Sequence, residues 1–264
     1  MLKILFLGEI IGLETVKKLK GFLQAAKQKF GIDMVIANAD GASDGFGLLK
    51  NTAFQIHSSG INVITGGDLI LNKKDSRELI ESAGFFLRPY NLSALNIGRG
   101  YINYKLDQDR VVSVISILGR SNYNKIFASD PFFAINKLLE KFSDSKYIIV
   151  DFHGGTTSEI QAMQWYLAGK VTAVIGTSLR VLTSDNRVIN DRTAVVTCNG
   201  YCGAADSIYG LSDETELAKI KTGRFLYSKI PTENIVYQGV MIEIDEESGK
   251  ALSIEHFNQS ADSN

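Results

Sequence analysis

The sequence has too few cysteine and proline residues for several common kinds of architecture. Its 264 residues include two cysteines, Cys198 and Cys202, which cannot form a disulfide framework. Their C-x-x-x-C spacing supplies at most half of a metal site, so we interpret both as structural free thiols in a reducing cytoplasm. Only three prolines occur in the chain, which leaves no proline-rich linker, and we expect a single domain.

The chain also lacks an excess of charge of either sign. Lysine and arginine together number 28, and aspartate and glutamate 29, which gives a net charge of −1 at neutral pH. This balance excludes a general basic field that would attract nucleic acid, although a local basic patch is compatible with it.

Long apolar runs are missing as well. No stretch approaches the roughly 18 apolar residues that a membrane-spanning helix needs. The amino terminus enters a strand-like run directly, without the charged lead of a signal peptide. We therefore predict a cytoplasmic protein with no membrane partner, and the mean hydropathy of +0.02 agrees with a globular chain.

What the first half does contain is an alternation of strand-like and helix-like segments. Residues 2–8, 34–38 and 61–65 are short runs rich in apolar residues, which predict buried strands. Residues 15–30 and 48–59 lie between these runs and are predicted to be helices, the first of them from the helical spacing of its apolar residues. The β-α-β-α order predicts a parallel sheet with helices on both of its faces.

The second half continues with strands and helices in a less regular order. Residues 100–106 and 111–118 are separated by a turn signal and predict a β-hairpin. Two further helices are expected, at residues 131–142 and 157–167. Further strands are expected at residues 147–151, 171–175, 193–197, 234–244 and 251–256. We expect the single domain to span residues 1–256, followed by a flexible polar tail at residues 257–264.

Titratable residues follow predicted strands at the points where four of these strands end. They are Glu9, Asp40, Asp68 and His153. In an open parallel α/β sheet, the carboxyl ends of the strands share one edge, where ligands bind. Carboxylates and histidine at such an edge suit a site for divalent metal ions, whereas acidic residues also occur there simply as turn formers. The spacing alone leaves both interpretations open.

The segment VTAVIGTSLRV, residues 171–181, adds a further strand end. A buried strand is predicted up to Ile175, after which Gly176 interrupts it and a loop carries Ser178 and Arg180. The same edge therefore receives a hydroxyl group and a guanidinium group. Neither G-x-G-x-x-G nor G-x-x-x-x-G-K-[ST] occurs in the chain, so no glycine-rich nucleotide motif accompanies the site.

Several blocks of the sequence resemble one family in the same order. They are ILFLGEIIG, VIANADGA, GGDLILNKKD, RPYN, VDFHGGTTSE, WYLAGKVTAVIGTSLRV and GYCGAADSIYG. On these blocks the chain resembles the YmdB-like branch of the calcineurin-like metallophosphoesterases, bacterial enzymes that hydrolyse cyclic nucleotides and other phosphodiesters. The resemblance implies an α/β metallophosphoesterase sandwich with mostly parallel central sheets flanked by helices. It also implies a homo-oligomer, and a loop at residues 122–124 that faces the cleft.

The resemblance also indicates where this chain departs from the family's site. The family has Asp, Glu and Asn at the positions of Glu9, Asp40 and Gly41. It has an Asn-His pair at the positions of Gly67 and Asp68, with the asparagine as a metal ligand and the histidine acting on the leaving oxygen.

In the second half of the chain, the family's metal-binding His-x-His motif falls on Ser178 and Arg180, whereas its histidine at His153 is retained. These departures predict a degenerate site, and we expect it to hold no metal ion and no other cofactor. The positions of this predicted degenerate site are Glu9, Asp40, Gly41, Gly67, Asp68, His153, Ser178 and Arg180.

Arg180 carries the physical argument for this expectation. Its guanidinium is always charged, donates hydrogen bonds and coordinates no metal. It would repel a pair of divalent ions, but it would form good ion pairs with Glu9 and Asp40. Our hypothesis is that Arg180 takes the place of a metal ion, and the alternative is that it points outward into solvent.

These observations lead to three hypotheses for function. We favour a catalytically inactive homologue that acts by binding a nucleotide, another phosphate-containing ligand or a protein partner. The alternative is a residual metal-dependent phosphodiesterase that uses Mg²⁺ or Mn²⁺ in a reduced site of Glu9, Asp40, Asp68 and His153. In that case Asp68 and His153 would be catalytic, and Glu9, Asp40 and His153 would bind the ion. The third hypothesis is a structural subunit of an assembly, with an inactive cleft.

Overall fold

The computed structural model describes residues 1–123 and 126–261 of the chain. Its strands, in chain order, are β1 (Leu2–Leu7), β2 (Glu9–Ile10), β3 (Met34–Asn38), β4 (Val63–Thr65), β5 (Phe86–Leu87), β6 (Tyr101–Lys105), β7 (Val111–Leu118), β8 (Tyr147–His153), β9 (Ala173–Thr177), β10 (Arg187–Ile189), β11 (Thr193–Val196), β12 (Tyr201–Ala204), β13 (Ile235–Ile244) and β14 (Ala251–Ser260). Its helices are α1 (Leu13–Phe30), α2 (Lys50–Ser58), α3 (Ser76–Ser82), α4 (Pro131–Lys141), α5 (Thr157–Leu167) and α6 (Asp213–Thr222).

The strands form two sheets that face each other. In the described part of the chain, the first sheet has eight strands in the order β2-β12-β13-β1-β3-β4-β5, with β14 beside β13. The second sheet has six strands in the order β10-β11-β9-β8-β7-β6. Neighbours are parallel from β1 to β5 and from β11 to β7, and antiparallel pairs flank these central strands. The predicted α/β sandwich with mostly parallel central sheets is confirmed.

Three apolar clusters hold these layers together. Leu2, Ile4 and Phe6 of β1 pack in the cluster between the sheets, together with Ile149 of β8 and Ile175 of β9. The alternate residues of β1 face α1, α2 and α3 outside the first sheet, and a third cluster packs α4 and α5 against the outside of the second. Because both faces of each sheet are covered, the central strands are continuous apolar runs rather than alternating ones.

This two-sheet arrangement differs from the single parallel sheet that the β-α-β-α order predicts. Asp40 and Asp68 follow strands β3 and β4 of the first sheet, whereas His153 ends β8 and Ser178 follows β9 in the second. The strand ends therefore meet across the sandwich and not along one edge. A local apolar run identifies a buried strand, but it does not tell which of two sheets the strand joins.

Several elements that the sequence analysis did not predict are short or lack an apolar stripe. They are β2, β5, β10, β12 and α6. The strands among them contain two to four residues, which is too few to show periodicity. Helix α6 has no buried residue, so its sequence has no amphipathic pattern. Among the helices of the described residues, none is both long and apolar enough to cross a membrane.

Strand β14 extends beyond the predicted end of the domain. It runs to Ser260, and the Phe257 ring is buried with its centroid 5.9 Å from that of Phe22 and 5.6 Å from that of Phe30. The flexible tail predicted for residues 257–264 is therefore wrong for residues 257–260, because Phe257 anchors them to the core. Residues 262–264 lie outside the described part of the chain. The assignment of residues 1–256 to one domain stays a prediction.

Replacing Phe257 with alanine should lower the free energy of unfolding by about 3–5 kcal/mol, because it empties a packed aromatic site. Urea denaturation followed by circular dichroism measures this change. Leu252→Ala in the same strand is the matched control, since Leu252 is 57% exposed, and it should cost less than about 0.5 kcal/mol. Equal and small effects of both substitutions would show that the end of β14 adds nothing to the core.

Candidate functional site

Asp40, Asp68 and His153 form a compact group at the carboxyl ends of the strands, which we call the carboxylate–histidine cluster. One ligand atom of each residue lies within 4.8 Å of the others. His153 Nε2 is 3.0 Å from Asp68 Oδ1 and 3.7 Å from Asp40 Oδ2. Asp40 and His153 are buried, and the side chain of Asp68 is 27% exposed. The structure thus brings together three residues that the strand ends indicated, while their roles stay predictions.

Backbone amides hold the carboxylate of Asp40 in place. Its Oδ1 accepts a hydrogen bond of 2.7 Å from the N–H of Gly67, and its Oδ2 accepts one of 2.8 Å from the N–H of Leu69. Burial raises the pKa of Asp40, and the neighbouring His153 opposes this rise. Because both donors flank Asp68, the loop that carries Asp68 is folded around the Asp40 side chain.

His153 has a partner on each ring nitrogen. Its Nε2 faces Asp68, and its Nδ1 lies 2.9 Å from Thr177 Oγ1. Burial disfavours the charged ring, but the hydrogen bond with Asp68 and the negative charge of Asp40 outweigh burial and raise the pKa of His153 to about 9. Burial also disfavours the charged form of Asp68, yet the same pairing lowers the pKa of Asp68. With no metal ion bound, Asp68 and His153 therefore form an ion pair at neutral pH.

Gly67 provides the space that the His153 ring occupies. A Cβ atom built on Gly67 would lie 2.2 Å from His153 Nε2 and 2.3 Å from Cε1. A side chain at position 67 would therefore displace the imidazole from Asp40 and Asp68. The glycine that the sequence analysis interpreted as a missing ligand is a steric requirement of the cluster.

Glu9 and Arg180 form a buried, bidentate ion pair near the cluster. Arg180 Nη2 donates to Glu9 Oε1 over 2.6 Å, and Nε donates to Oε2 over 3.0 Å. The guanidinium also donates to the carbonyls of Gly45 and Tyr209 and lies 4.1 Å from the centroid of the Tyr209 ring. The side chains of Arg180 and Glu9 are 2% and 3% exposed. Arg180 therefore does not point into solvent, and it pairs with Glu9, whereas Asp40 is held by the backbone.

The buried ion pair depends on the glycine at position 41. A Cβ atom on Gly41 would lie 2.6 Å from Glu9 Oε1 and 2.7 Å from Arg180 Nη2. A larger residue at this position would push the two charged groups aside. Glu9, Gly41 and Arg180 consequently pack as one unit.

The loop after β9 holds Ser178 away from the cluster. Ser178 and Arg180 have φ angles of 91° and 52°, in the left-handed region that residues other than glycine rarely adopt. The Ser178 hydroxyl accepts a hydrogen bond of 3.0 Å from the Tyr123 hydroxyl, and the Ser178 carbonyl accepts one of 2.8 Å from the Tyr209 hydroxyl. Two tyrosines therefore fix this backbone conformation, and the Ser178 side chain is not part of the cluster.

A cavity of about 530 Å³ opens beside the cluster. Asp68 and Arg180 line it, as do Asn122 and Tyr123 of the loop that the sequence analysis placed at the cleft. The third residue of that loop, Asn124, lies outside the described residues. A cavity of this volume is in the usual range for small-molecule sites.

The donor atoms of the cluster suit one divalent metal ion. Two carboxylates and an imidazole are oxygen and nitrogen ligands of the kind that Mg²⁺, Mn²⁺ and similar ions take. Glu9 lies outside this group of three, and its carboxylate pairs with Arg180, whose positive charge would oppose an ion bound to the same oxygens. For an active protein we expected Glu9, Asp40 and His153 to bind the ion. We now predict that Asp40, Asp68 and His153 bind it.

The two-sheet sandwich is the fold of the calcineurin-like phosphoesterases. A phosphoesterase of this class from Bacillus subtilis has a similar structure, with a TM-score of 0.53 at 10% identity over 98% of this chain and 90% of the other. The crystal structure of a phosphatase from Mycoplasma pneumoniae is more similar, with a TM-score of 0.92 at 27% identity over 98% of this chain and 93% of the other.

Within this class, the chain belongs to the YmdB-like protein family, whose profile matches residues 5–257. A relative from Bacillus subtilis strain 168 is 31% identical over 255 residues, which cover 96% of both chains. That relative is named 2′,3′-cyclic-nucleotide 2′-phosphodiesterase. The resemblance inferred from the sequence blocks is thereby confirmed.

Two expectations of the sequence analysis are wrong. The favoured hypothesis of a catalytically inactive homologue is overturned, because similar proteins are named as a phosphodiesterase and a phosphatase, and because three potential metal ligands converge in this chain. The expectation of no metal or other cofactor is overturned by the same findings. Both expectations judged each position separately, whereas metal binding depends on whether the remaining donors converge.

The sequence analysis also missed residues that contact the site. Asp151 and Thr177 lie inside the apolar strands β8 and β9, and Tyr209 lies in an irregular segment. A carboxylate inside a buried strand requires partners, so Asp151 was a signal that could have been recognised. No sequence pattern indicated that Tyr209 would stack on Arg180.

Gly67→Ala should weaken the binding of Mn²⁺ by about tenfold or more, because the added methyl group displaces the His153 ring from Asp40 and Asp68. Isothermal titration calorimetry measures the affinity. The matched control is Gly84→Ala, since a Cβ atom at Gly84 meets nothing within 4 Å, and it should bind Mn²⁺ like the wild type. If the two variants bound Mn²⁺ equally well, the cluster would not be the site of the ion.

Proposed function

We propose that this protein is a metal-dependent phosphodiesterase that holds one divalent ion, Mg²⁺ or Mn²⁺, at Asp40, Asp68 and His153. The observation that carries the proposal is the convergence of these three side chains beside a cavity. The name of the relative from Bacillus subtilis supports the class of reaction. When bound, the ion would act as a Lewis acid toward a phosphate oxygen.

Arg180 contributes a fixed positive charge to the same cavity. Arg180 lines the cavity, whereas its partner Glu9 does not, so the cationic member of the pair lies on the cavity side. The bidentate pairing holds the guanidinium in place before a substrate arrives, so little reorganisation is needed. Because Glu9, Gly45 and Tyr209 accept four of its hydrogen bonds, we assign to Arg180 an electrostatic attraction for the phosphodiester anion rather than a bidentate contact with it.

Asp68 is the member of the cluster that lines the cavity and reaches solvent. Its Oδ1 lies 3.0 Å from His153 Nε2, so Oδ2 is the oxygen that the histidine does not contact. As a ligand of the ion, Asp68 would be deprotonated. We assign to Oδ2 the acceptance of a proton from the attacking water.

The substrates that we propose are cyclic nucleotides or other small phosphodiesters. A cavity of about 530 Å³ suits ligands of this size. The relative from Bacillus subtilis is named for 2′,3′-cyclic nucleotides, which supports this class of substrate. Phe46 and Tyr209 line the cavity and are 45% and 48% exposed, so they offer aromatic faces to a base. The homo-oligomer, a protein partner and the cytoplasmic location stay predictions.

Hydrolysis of 2′,3′-cyclic AMP and of bis(p-nitrophenyl) phosphate should require Mn²⁺ or Mg²⁺ and should stop when EDTA is added. Asp40→Asn and His153→Gln should each lower kcat about 100-fold or more, because each removes a ligand of the ion. Asp109→Asn, which changes an exposed carboxylate in a turn, is the control and should leave kcat unchanged. Bound Mn²⁺ without any turnover, or turnover that EDTA does not affect, would contradict the proposal.

Arg180→Met should reduce the free energy of unfolding by about 3–5 kcal/mol, because it leaves the Glu9 carboxylate buried without its partner. The double variant Glu9→Gln/Arg180→Met removes both charges and should recover most of that stability. Its kcat/KM for bis(p-nitrophenyl) phosphate should still be about tenfold lower or more, since the anion has lost the guanidinium. Full recovery of both stability and kcat/KM in the double variant would mean that Arg180 is purely structural.

A further inference from the structure

Asp151 is a buried carboxylate that has no part in the proposed reaction. It lies inside β8 with no exposed surface. Its Oδ1 accepts a hydrogen bond of 2.7 Å from Thr177 Oγ1, and its Oδ2 accepts hydrogen bonds from Asn38 Nδ2, over 3.2 Å, and from the Thr65 hydroxyl. Asn38 and Thr65 end strands of the first sheet, so this carboxylate connects the two sheets. Burial raises the pKa of Asp151, and the positive charge of His153 and the three donors oppose this rise.

The hydroxyl of Thr177 lies between Asp151 and His153. A hydroxyl has one proton to donate and two lone pairs that accept. Thr177 donates its proton to Asp151 Oδ1, so its oxygen can only accept a hydrogen bond from His153 Nδ1, which is 2.9 Å away. The Nδ1 atom must therefore carry a proton. The other ring nitrogen, Nε2, faces the Asp68 and Asp40 carboxylates.

We propose that Asp151, acting through Thr177, keeps a proton on His153 Nδ1 and thereby reserves Nε2 as the nitrogen that binds the metal ion. Asp151 and Thr177 are thus positioning residues, since neither touches the cavity that holds the substrate. Histidine ligands of metal ions commonly donate their second N–H in this way, which fixes the ring and strengthens the ligand. The metal-binding part of this inference rests on the proposed function, whereas the position of the proton does not.

Asp151→Asn is the most informative substitution, because the surrounding donors dictate how the new amide is oriented. The donors from Asn38 and Thr65 face Oδ2, so the amide carbonyl should take that place and the NH₂ group should point to Thr177. Thr177 would then accept from position 151 and direct its own proton to His153 Nδ1. In the neutral ring, the proton should then move from Nδ1 to Nε2, where it would compete with the metal ion.

Nuclear magnetic resonance of protein labelled with ¹⁵N-histidine detects the proton directly, without any metal ion. The chain has three histidines, and His153→Gln identifies the signals of His153. The spectra are recorded at a pH above the pKa of His153, where the ring carries a single proton, and the ¹⁵N chemical shifts tell which nitrogen holds it. We expect a protonated Nδ1 in the wild type and in Thr177→Ser, both tautomers in Thr177→Val, and an unprotonated Nδ1 in Asp151→Asn. An unprotonated Nδ1 in the wild type, or spectra of both variants identical to the wild type, would overturn the inference.

Titration with Mn²⁺ tests the consequence for the ion. Thr177→Val and Asp151→Asn should each bind Mn²⁺ about 10- to 100-fold more weakly, and Thr177→Ser should bind it like the wild type. Wild-type affinity in a variant whose Nδ1 has lost its proton would overturn the positioning role. A wild type that binds no Mn²⁺ would refute the proposed function instead, and the resonance of Nδ1 would still decide the position of the proton. If Thr177→Val does not fold, the wild type and Asp151→Asn decide the outcome.

Discussion

The packing of the two sheets against each other is the constraint on which the site depends. Leu2, Ile4 and Phe6 of the first sheet meet Ile149 and Ile175 of the second in one apolar layer. Burial of this layer is favourable enough to align strands that lie far apart in the chain. Beyond the end of this apolar layer, the strand faces that point toward the other sheet carry polar side chains. These polar side chains meet between the two sheets. The site is therefore assembled by apolar packing elsewhere and not by the attraction of its own charges, whose burial is costly.

The buried charges of the site are compensated in different ways. Arg180 is neutralised by Glu9, and His153 by Asp68, while backbone amides satisfy the Asp40 carboxylate. Gly41 and Gly67 make this possible. A side chain at Gly41 would collide with the Glu9–Arg180 pair, and a side chain at Gly67 would collide with the His153 ring. A buried charge without a partner would cost several kcal/mol, so the residues around each pair are constrained together rather than one at a time.

The convergence of donors changes the functional interpretation of the substitutions. Asp68 was interpreted as the loss of a histidine, yet its carboxylate lies 3.0 Å from His153 and completes a set of three potential ligands with Asp40. Arg180 was interpreted as a sign of inactivity, yet it is held beside the cavity by Glu9. A side chain that binds no metal can still stabilise a phosphate anion, so its presence does not decide whether the chain is an enzyme.

The sequence by itself determined the buried strands, most of the helices and the family, because these depend on local periodicity and on contiguous blocks of residues. It also indicated that Asp40, Asp68 and His153 end strands. Only the tertiary structure decided which of these side chains meet and what surrounds them. Glu9 and Arg180 are 171 positions apart in the chain. No local pattern encodes such a contact, because it depends on how two sheets pack and on the space that distant glycines leave.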